Sequence, residues 1–251
     1  MNYIQSASNP HIKQVKKLLT KKERDKTGFY LLEGFHLVEE ALKYKPYIEE
    51  LLLSEEAVIP PSWNIDDLDV TMVSSEAAAK LSDTENGQGV FAVCRKSSQT
   101  ELSEGSTFLL IDEVQDPGNI GTMIRTADAA GIDAVVLGSG SADVYNPKVL
   151  RSAQGSHFHV PIINLDLEAA IQQIMDRDIP VYGTALEGAS DYRSEKTGPF
   201  ALLVGNEGSG VRPELLQKTT KNIYIPIFGR SESLNVAVAA GILLYHFREN
   251  N

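Results

Sequence analysis

The 251-residue sequence predicts an α/β protein in two parts. A parallel-sheet domain is expected over residues 107–251, a linker over 98–106 and a small α/β domain over 1–97. Three observations carry this. After residue 106, short continuous apolar runs alternate with helix-type segments, the pattern of a parallel sheet covered on both faces. The segment KSSQTELSEGS, Lys96 to Ser106, is polar and nearly free of apolar residues, so it reads as a connection. The half before it mixes short helical and extended signals without that regularity.

Composition narrows the class. With 42% hydrophobic and 23% charged residues the chain sits near globular averages, which excludes a disordered or fibrous protein. The lone cysteine, Cys94, excludes an internal disulfide and a multi-cysteine metal site, and its ordinary reading is an apolar filler in a strand. No metal is expected. The N-terminus lacks the apolar stretch of a secretory signal. The longest apolar run, Val236 to Tyr245, falls well short of the roughly 20 residues that a membrane-spanning helix needs. A cytoplasmic protein without membrane contact is expected. The net charge of −11 weakens non-specific attraction to nucleic acid. Residues 1–30 run against that trend, with Lys13, Lys16, Lys17, Lys21, Lys22, Arg24 and Lys26 against Glu23 and Asp25.

In chain order, helices are expected at Pro10 to Thr20 and Gly34 to Tyr44, with extended runs at Phe29 to Leu32, Ile48 to Leu53 and Val90 to Arg95. Beyond the linker, buried strands are expected at Thr107 to Ile111, Ala134 to Leu137, Ile179 to Tyr182, Phe200 to Val204 and Ile223 to Ile227. Helices are expected at Asn119 to Ala130, Leu167 to Arg177 and Leu234 to Arg248. In such sheets ligands bind outside the carboxyl ends of the strands. Three junctions there are unusual.

The first is LLIDEVQDPGNIGTMIRTADAAG, in which Asp116 and Asn119 are both plausible helix caps. Ile120, Ile124 and Ala127 make the buried stripe, and Gly121, Thr122 and Arg125 share another face. The second is ALLVGNEGSGVRPELL, where Gly205, Gly208 and Gly210 surround Asn206 and Glu207. Glycines in such a turn let backbone groups reach a ligand directly. Their spacing is neither the dinucleotide fingerprint nor a phosphate-binding P-loop. The third is IYIPIFGRSESLNVAVAAGILLYHF, with Ser233 as the expected N-cap of a final helix. That helix is apolar on nearly every side, which predicts burial against a second copy in a homodimer.

Taken together, DPGNIGTMIRTADAAG, LLVGNEGSGV and IPIFGRSESLNVAVAAGILLY resemble the three motifs of the SpoU (TrmH) family of RNA ribose 2′-O-methyltransferases, of the SPOUT superfamily. FYLLEGFHLVEEAL, Phe29 to Leu42, is similar to the L30e-like substrate-binding module often fused to that domain. The resemblance implies a deep trefoil knot in the C-terminal domain. It also implies S-adenosylmethionine as methyl donor and a homodimer whose active site uses both subunits. Carried over by position, the catalytic arginine is Arg125, with Asn119, Glu207, Ser233 and Asn235 as the other catalytic residues. Donor contacts fall on Thr184, Gly205, Ile225 and Leu234. The chain departs from the motif at Ile227, where methionine is frequent, and at Ala237, where serine is frequent.

The expected activity is therefore S-adenosylmethionine-dependent 2′-O-methylation of structured RNA, with 23S ribosomal RNA favoured and tRNA second. Arginine is a poor general base because its pKa is above about 12, so Arg125 is assigned to a phosphate and the 2′-oxygen. Asn119, Ser233 and Asn235 position the nucleotide or loop, and Glu207 orients that polar network. A nicotinamide-dependent dehydrogenase would need the dinucleotide fingerprint after its first strand, where DEVQDPGN stands instead. A non-catalytic RNA-binding protein on the same fold is the third alternative, disfavoured because all the expected polar residues are present.

Overall fold

The computed structural model describes residues 2–102, 104–196 and 198–248. Ser103 of the expected linker, and Thr197 and residues 249–251 of the expected C-terminal domain, lie outside them. The first part of the chain forms β1 (Asn2–Ile4), α1 (Pro10–Lys17), α2 (Lys21–Thr27), β2 (Phe29–Glu33), α3 (Phe35–Leu42), β3 (Ile48–Ser54), β4 (Val70–Val73), α4 (Ser75–Leu81) and β5 (Val90–Arg95). Next come β6 (Thr107–Ile111), α5 (Pro117–Ala129), β7 (Ala134–Leu137), α6 (Pro147–Ala153), β8 (Ile162–Asn164) and α7 (Leu167–Met175). The last elements are β9 (Val181–Thr184), β10 (Ser190–Asp191), β11 (Phe200–Val204), α8 (Pro213–Leu216), β12 (Lys221–Tyr224) and α9 (Val236–Arg248). Helix starts follow a local rule: Asn9, Asp116 and Asn146 each accept a backbone N–H of the first turn, and a proline follows each.

Two compact units result, residues 1–98 with 143–158, and residues 99–142 with 159–251. The first holds a mixed sheet in the order β1-β4-β3-β5-β2, with β5 antiparallel to both neighbours. Its strands are apolar on both faces. Tyr30, Leu32, Leu51, Leu53, Val90 and Ala92 pack with α3 on one side, while Leu31, Leu52, Phe91 and Val93 pack with α1 and α4 on the other. Cys94 is fully buried here, and burial pushes its thiol pKa well up, so it stays a neutral apolar filler.

The second unit holds a seven-stranded sheet, parallel throughout, in the order β10-β12-β9-β11-β6-β7-β8. Helix α7 covers one face through Leu167, Ala170, Ile171 and Ile174. On the other face the Phe247 ring of α9 stacks on Tyr182 at 4.7 Å and meets Phe200 at 5.1 Å. Arg248 Nε donates to Ala130 O at 2.8 Å, fastening the end of α9 to the end of α5. Among the described residues, no helix is long and apolar enough to cross a membrane, and no group of three or more His, Cys, Asp or Glu side chains is placed to hold a metal.

Several elements differ from the sequence reading. The short edge strands β1, β8 and β10, the strand β4, and helices α2, α4 and α6 were not expected. The expected strand Ile223 to Ile227 is instead Lys221–Tyr224, which stops short of Pro226; proline cannot donate to a ladder. Residues 143–158 lie within the stretch expected as one C-terminal domain, yet they pack in the first unit. Leu150 joins the cluster around Tyr30 and Leu32, Tyr145 meets the Tyr30 ring at 4.5 Å, and Phe158 stacks on Tyr44 at 5.4 Å.

The polar link in this packing is Arg24, 2% exposed, whose Nη2 lies 2.7 Å from Asp143 Oδ2. Its Nη1 donates to Leu18 O at 2.8 Å. Removing one partner of a buried pair leaves an uncompensated charge, at about 3–5 kcal/mol. Arg24→Ala and Asp143→Ala should each destabilise the protein by roughly that amount in urea titrations. The double variant should cost clearly less than the sum, because the two share one interaction.

Candidate active site

Three neighbouring strands, β12, β9 and β11, end at a cavity of about 680 Å³. Thr184 closes β9, Gly205 follows β11 and Ile225 follows β12, so the cavity sits outside the carboxyl ends of the sheet, where open α/β sheets place ligands. Its size suits a small organic ligand. Thr184, Gly205, Glu207, Ile225, Ser233, Leu234 and Asn235 all line it.

The loop after β11 is shaped by its own backbone. Asn206 and Gly210 pair across the turn, with N–H to O distances of 3.0 and 2.9 Å, and Asn206 Oδ1 accepts the N–H of Gly208 and Ser209. This folds the chain back on Gly205 so tightly that an added Cβ would lie 2.2 Å from both Gly210 C and Val211 N. Only glycine fits there. Behind the loop, fully buried Asp112 accepts from Arg212 N and Nε, each at 2.9 Å, fixing the loop's exit to the end of β6. Neither Asn206 nor the Asp112–Arg212 pair was singled out from the sequence. The polar Asp112 directly after the apolar run LLI was the available signal.

Glu207 ties the loops together. Its carboxylate accepts from Asn119 Nδ2 at 3.0 Å, from the Asp116 N–H at 3.2 Å and from the Gln115 N–H at 3.3 Å. Asn119 Oδ1 in turn accepts from Asn235 Nδ2 at 2.9 Å. One hydrogen-bonded chain thus runs from the loop after β11, through the first turn of α5, to the start of α9. Partial burial alone would raise the Glu207 carboxyl pKa. The donors, Asn119 first and then backbone N–H groups that include Asp116 and Gln115, outweigh it and hold the pKa below the ordinary carboxylate value.

The other expected residues are placed as follows. Asp116 caps α5, accepting the Asn119 N–H at 2.9 Å, so the Asn119 side chain is left for the network. Ser233 does not cap the final helix as expected: Asn235 Oδ1 accepts the N–H groups of Ala237 and Val238 at 2.9 and 3.3 Å. Ser233 faces the cavity instead. Gly121, expected beside Thr122 and Arg125 on an open face, is buried. Arg125 is exposed, pairs with no described residue and does not line the cavity of its own chain.

Two outcomes follow from this geometry. Gly205→Ala should destabilise the protein by at least the roughly 1–3 kcal/mol of ordinary overpacking, measured by thermal melting, because the added atom meets backbone. Glu207 contributes to loop stability only while ionised. Its folded pKa lies below the unfolded 4.5, so that contribution is present above pH 4.5 and is lost as pH falls through the folded value. The backbone amide resonances of Gln115 and Asp116 should titrate together with a midpoint below 4.5, and Glu207→Ala should abolish that transition.

Known proteins match the whole chain. Residues 106–245 match the SpoU rRNA Methylase family, and residues 9–92 match the MRM3-like substrate binding domain. The chain is 50% identical to the 23S rRNA (guanosine(2553)-2′-O)-methyltransferase RlmP of Bacillus subtilis, over 99% of this chain and 100% of that one. The AdoMet-bound rRNA methyltransferase from Sinorhizobium meliloti superposes with a TM-score of 0.87 at 32% identity, covering 99% of this chain and 97% of the other. The SpoU methyltransferase AviRb of Streptomyces viridochromogenes, in complex with the cofactor AdoMet, gives 0.85 at 26% identity over 96% and 97%. The chain belongs to the SpoU rRNA methylase family.

Proposed function

We propose that the protein transfers a methyl group from S-adenosylmethionine to a ribose 2′-hydroxyl of 23S ribosomal RNA. The observation that carries this is the cavity itself, placed beyond β12, β9 and β11, with two of the loops that line it, those of Glu207 and Asn235, joined through Asn119 of α5. Its walls fit the donor: Thr184, Gly205, Ile225 and Leu234 surround a space in which the loop backbone, closed over Gly205, supplies N–H and C=O groups. S-adenosylmethionine, when bound there, supplies a methyl group already activated as a sulfonium.

The chain's task is then alignment and charge. Holding the 2′-oxygen at near-attack distance supplies several kcal/mol of the barrier. Asn119, Ser233 and Asn235 position the nucleotide, and Glu207 holds the two asparagine-bearing loops in register. Arg125 holds a phosphate and the 2′-oxygen, stabilising charge that develops as the proton leaves to a phosphate oxygen or to water. A guanidinium keeps its own proton at any physiological pH.

A homodimer completes the site. Val238, Ile242 and Tyr245 are 52%, 38% and 51% exposed along one side of α9, and Leu234 just before the helix is 37% exposed, together an apolar surface that a second copy would cover. Arg125 stands away from the cavity of its own chain, which supports its acting in the partner's. The family membership and the strand order support a C-terminal segment threaded as a trefoil knot. An enzyme with this substrate works in the cytoplasm. The relatives named as rRNA methyltransferases that match end to end favour ribosomal RNA over tRNA, since tRNA-modifying neighbours, TrmH/SpoU of A. aeolicus among them, cover 57–58% of the chain.

The test is methyl transfer to 23S rRNA and to tRNA transcripts, followed by mapping of 2′-O-methyl marks. A mark on 23S rRNA at the equivalent of the guanosine that names the Bacillus relative is expected, and its absence from both RNAs would reject the reading. Arg125→Ala should lower kcat/KM by about 10²–10³-fold, the cost of removing a transition-state donor, with S-adenosylmethionine affinity unchanged in calorimetry. Mixing Arg125→Ala chains with Gly205→Ala chains should restore activity that neither has alone, because one cavity of the mixed dimer then meets an intact arginine.

A further inference from the structure

The cations of the first unit divide by pairing. On the side of the sheet covered by α3 and α6, Lys43 meets Glu40 at 2.7 Å, Lys45 meets Asp67 at 2.6 Å and Arg151 meets Asp83 at 3.0 Å. Within the basic N-terminal segment, Arg24 is consumed by Asp143, Lys21 by Asp25 and Lys26 by Glu23. Arg95 and Lys96 meet Glu49 and Asp25, each at 2.9 Å. Lys13, Lys16, Lys17, Lys22 and Lys80 form no ion pair or hydrogen bond with a described residue, and all but half-buried Lys16 are exposed.

These five are grouped. Lys13, Lys16 and Lys17 share one side of α1 through their three- and four-residue spacing. Lys80 lies on α4, which packs beside α1 over the core of Ile12, Val15, Ala77 and Leu81. Lys22 is the second residue of α2, which follows α1 after a short turn. Ordinary helix energetics accounts for only part of this. The C-terminus of α1 favours Lys16 and Lys17, whereas the N-terminus of α2 disfavours Lys22 and no side chain caps it. Lys13 and Lys17 repel each other across one turn. An acidic chain with carboxylates to spare leaves these five lysines unpaired among the described residues.

We propose that Lys13, Lys16, Lys17, Lys22 and Lys80 form the surface that grips the phosphate backbone of the RNA substrate, and that the α3 side of the same unit does not touch it. This rests on the ribose-methylating function proposed above and assigns the part of the substrate-binding unit that meets phosphate. Contacts of this kind position RNA without reading its sequence, and each released counterion adds salt dependence.

The test uses full-length protein, a 23S rRNA transcript and filter binding from 50 to 400 mM KCl. Lys13→Gln/Lys17→Gln/Lys22→Gln should lower the slope of log affinity against log salt by about three units and weaken binding at 0.15 M on the order of 100-fold. Melting temperature and calorimetric S-adenosylmethionine affinity should stay unchanged. Lys43→Gln/Lys45→Gln, from the opposite face, should bind RNA as the unmodified protein does. Unchanged RNA affinity and slope in the triple variant would mean a merely solvated face and overturn the proposal, as would weakening confined to the Lys43/Lys45 variant. Failure of the unmodified protein to bind or methylate RNA would reject the proposed function itself.

Discussion

The site depends on a carboxylate that gathers donors from separate loops. Glu207 on the loop after β11 accepts from the side chain of Asn119 and from two backbone N–H groups at the entry of α5. Asn119 passes the connection to Asn235, which also caps α9. Three segments far apart in sequence thereby become one network, and two of them line the cavity. Each is short and irregular, and apolar contacts such as buried Val114 are few in them. Hydrogen bonding to an ionised acceptor joins them, and such bonds are stronger than neutral ones.

Much of the architecture was legible because the chemistry is local. Phe108, Leu109 and Leu110, or Ala201, Leu202 and Leu203, are buried on both faces of the sheet, and such strands leave an unbroken apolar run in the sequence. Asp116–Pro117 announces a helix by the same local logic. What was illegible depends on distant partners. Arg24 reads as one more cation of a basic segment, yet it is buried and its half-buried carboxylate partner is 119 residues away. Ser233 and Asn235 are both good caps, and the choice between them was made by the loop's path past the cavity. Helix α2, KKERDKT, buries only Arg24 and so carries no apolar stripe to find.

The charge distribution reconciles an acidic protein with a polyanionic substrate. A net charge of −11 would repel RNA at long range if it were spread evenly. Several carboxylates of the first unit stand against particular lysines and arginines, and the lysines of α1 stay outside those pairs. Arg125, on α5, is likewise unpaired among the described residues. Screening shortens the reach of the remaining acidic field to about 8 Å at physiological ionic strength, so local pattern governs the encounter more than the total.

Residues 143–158 complete the first unit although the chain passes into the second unit before and after them. During synthesis, Tyr30 and Leu32 emerge long before Tyr145 and Leu150, which cover them. At about 5–20 residues per second, the roughly 60 residues separating Ser98 from Phe158 take some 3–12 s to make. Over that interval the nascent first unit exposes an aromatic surface with no cover, a window in which a chaperone or a neighbouring nascent chain competes with the protein's own later segment.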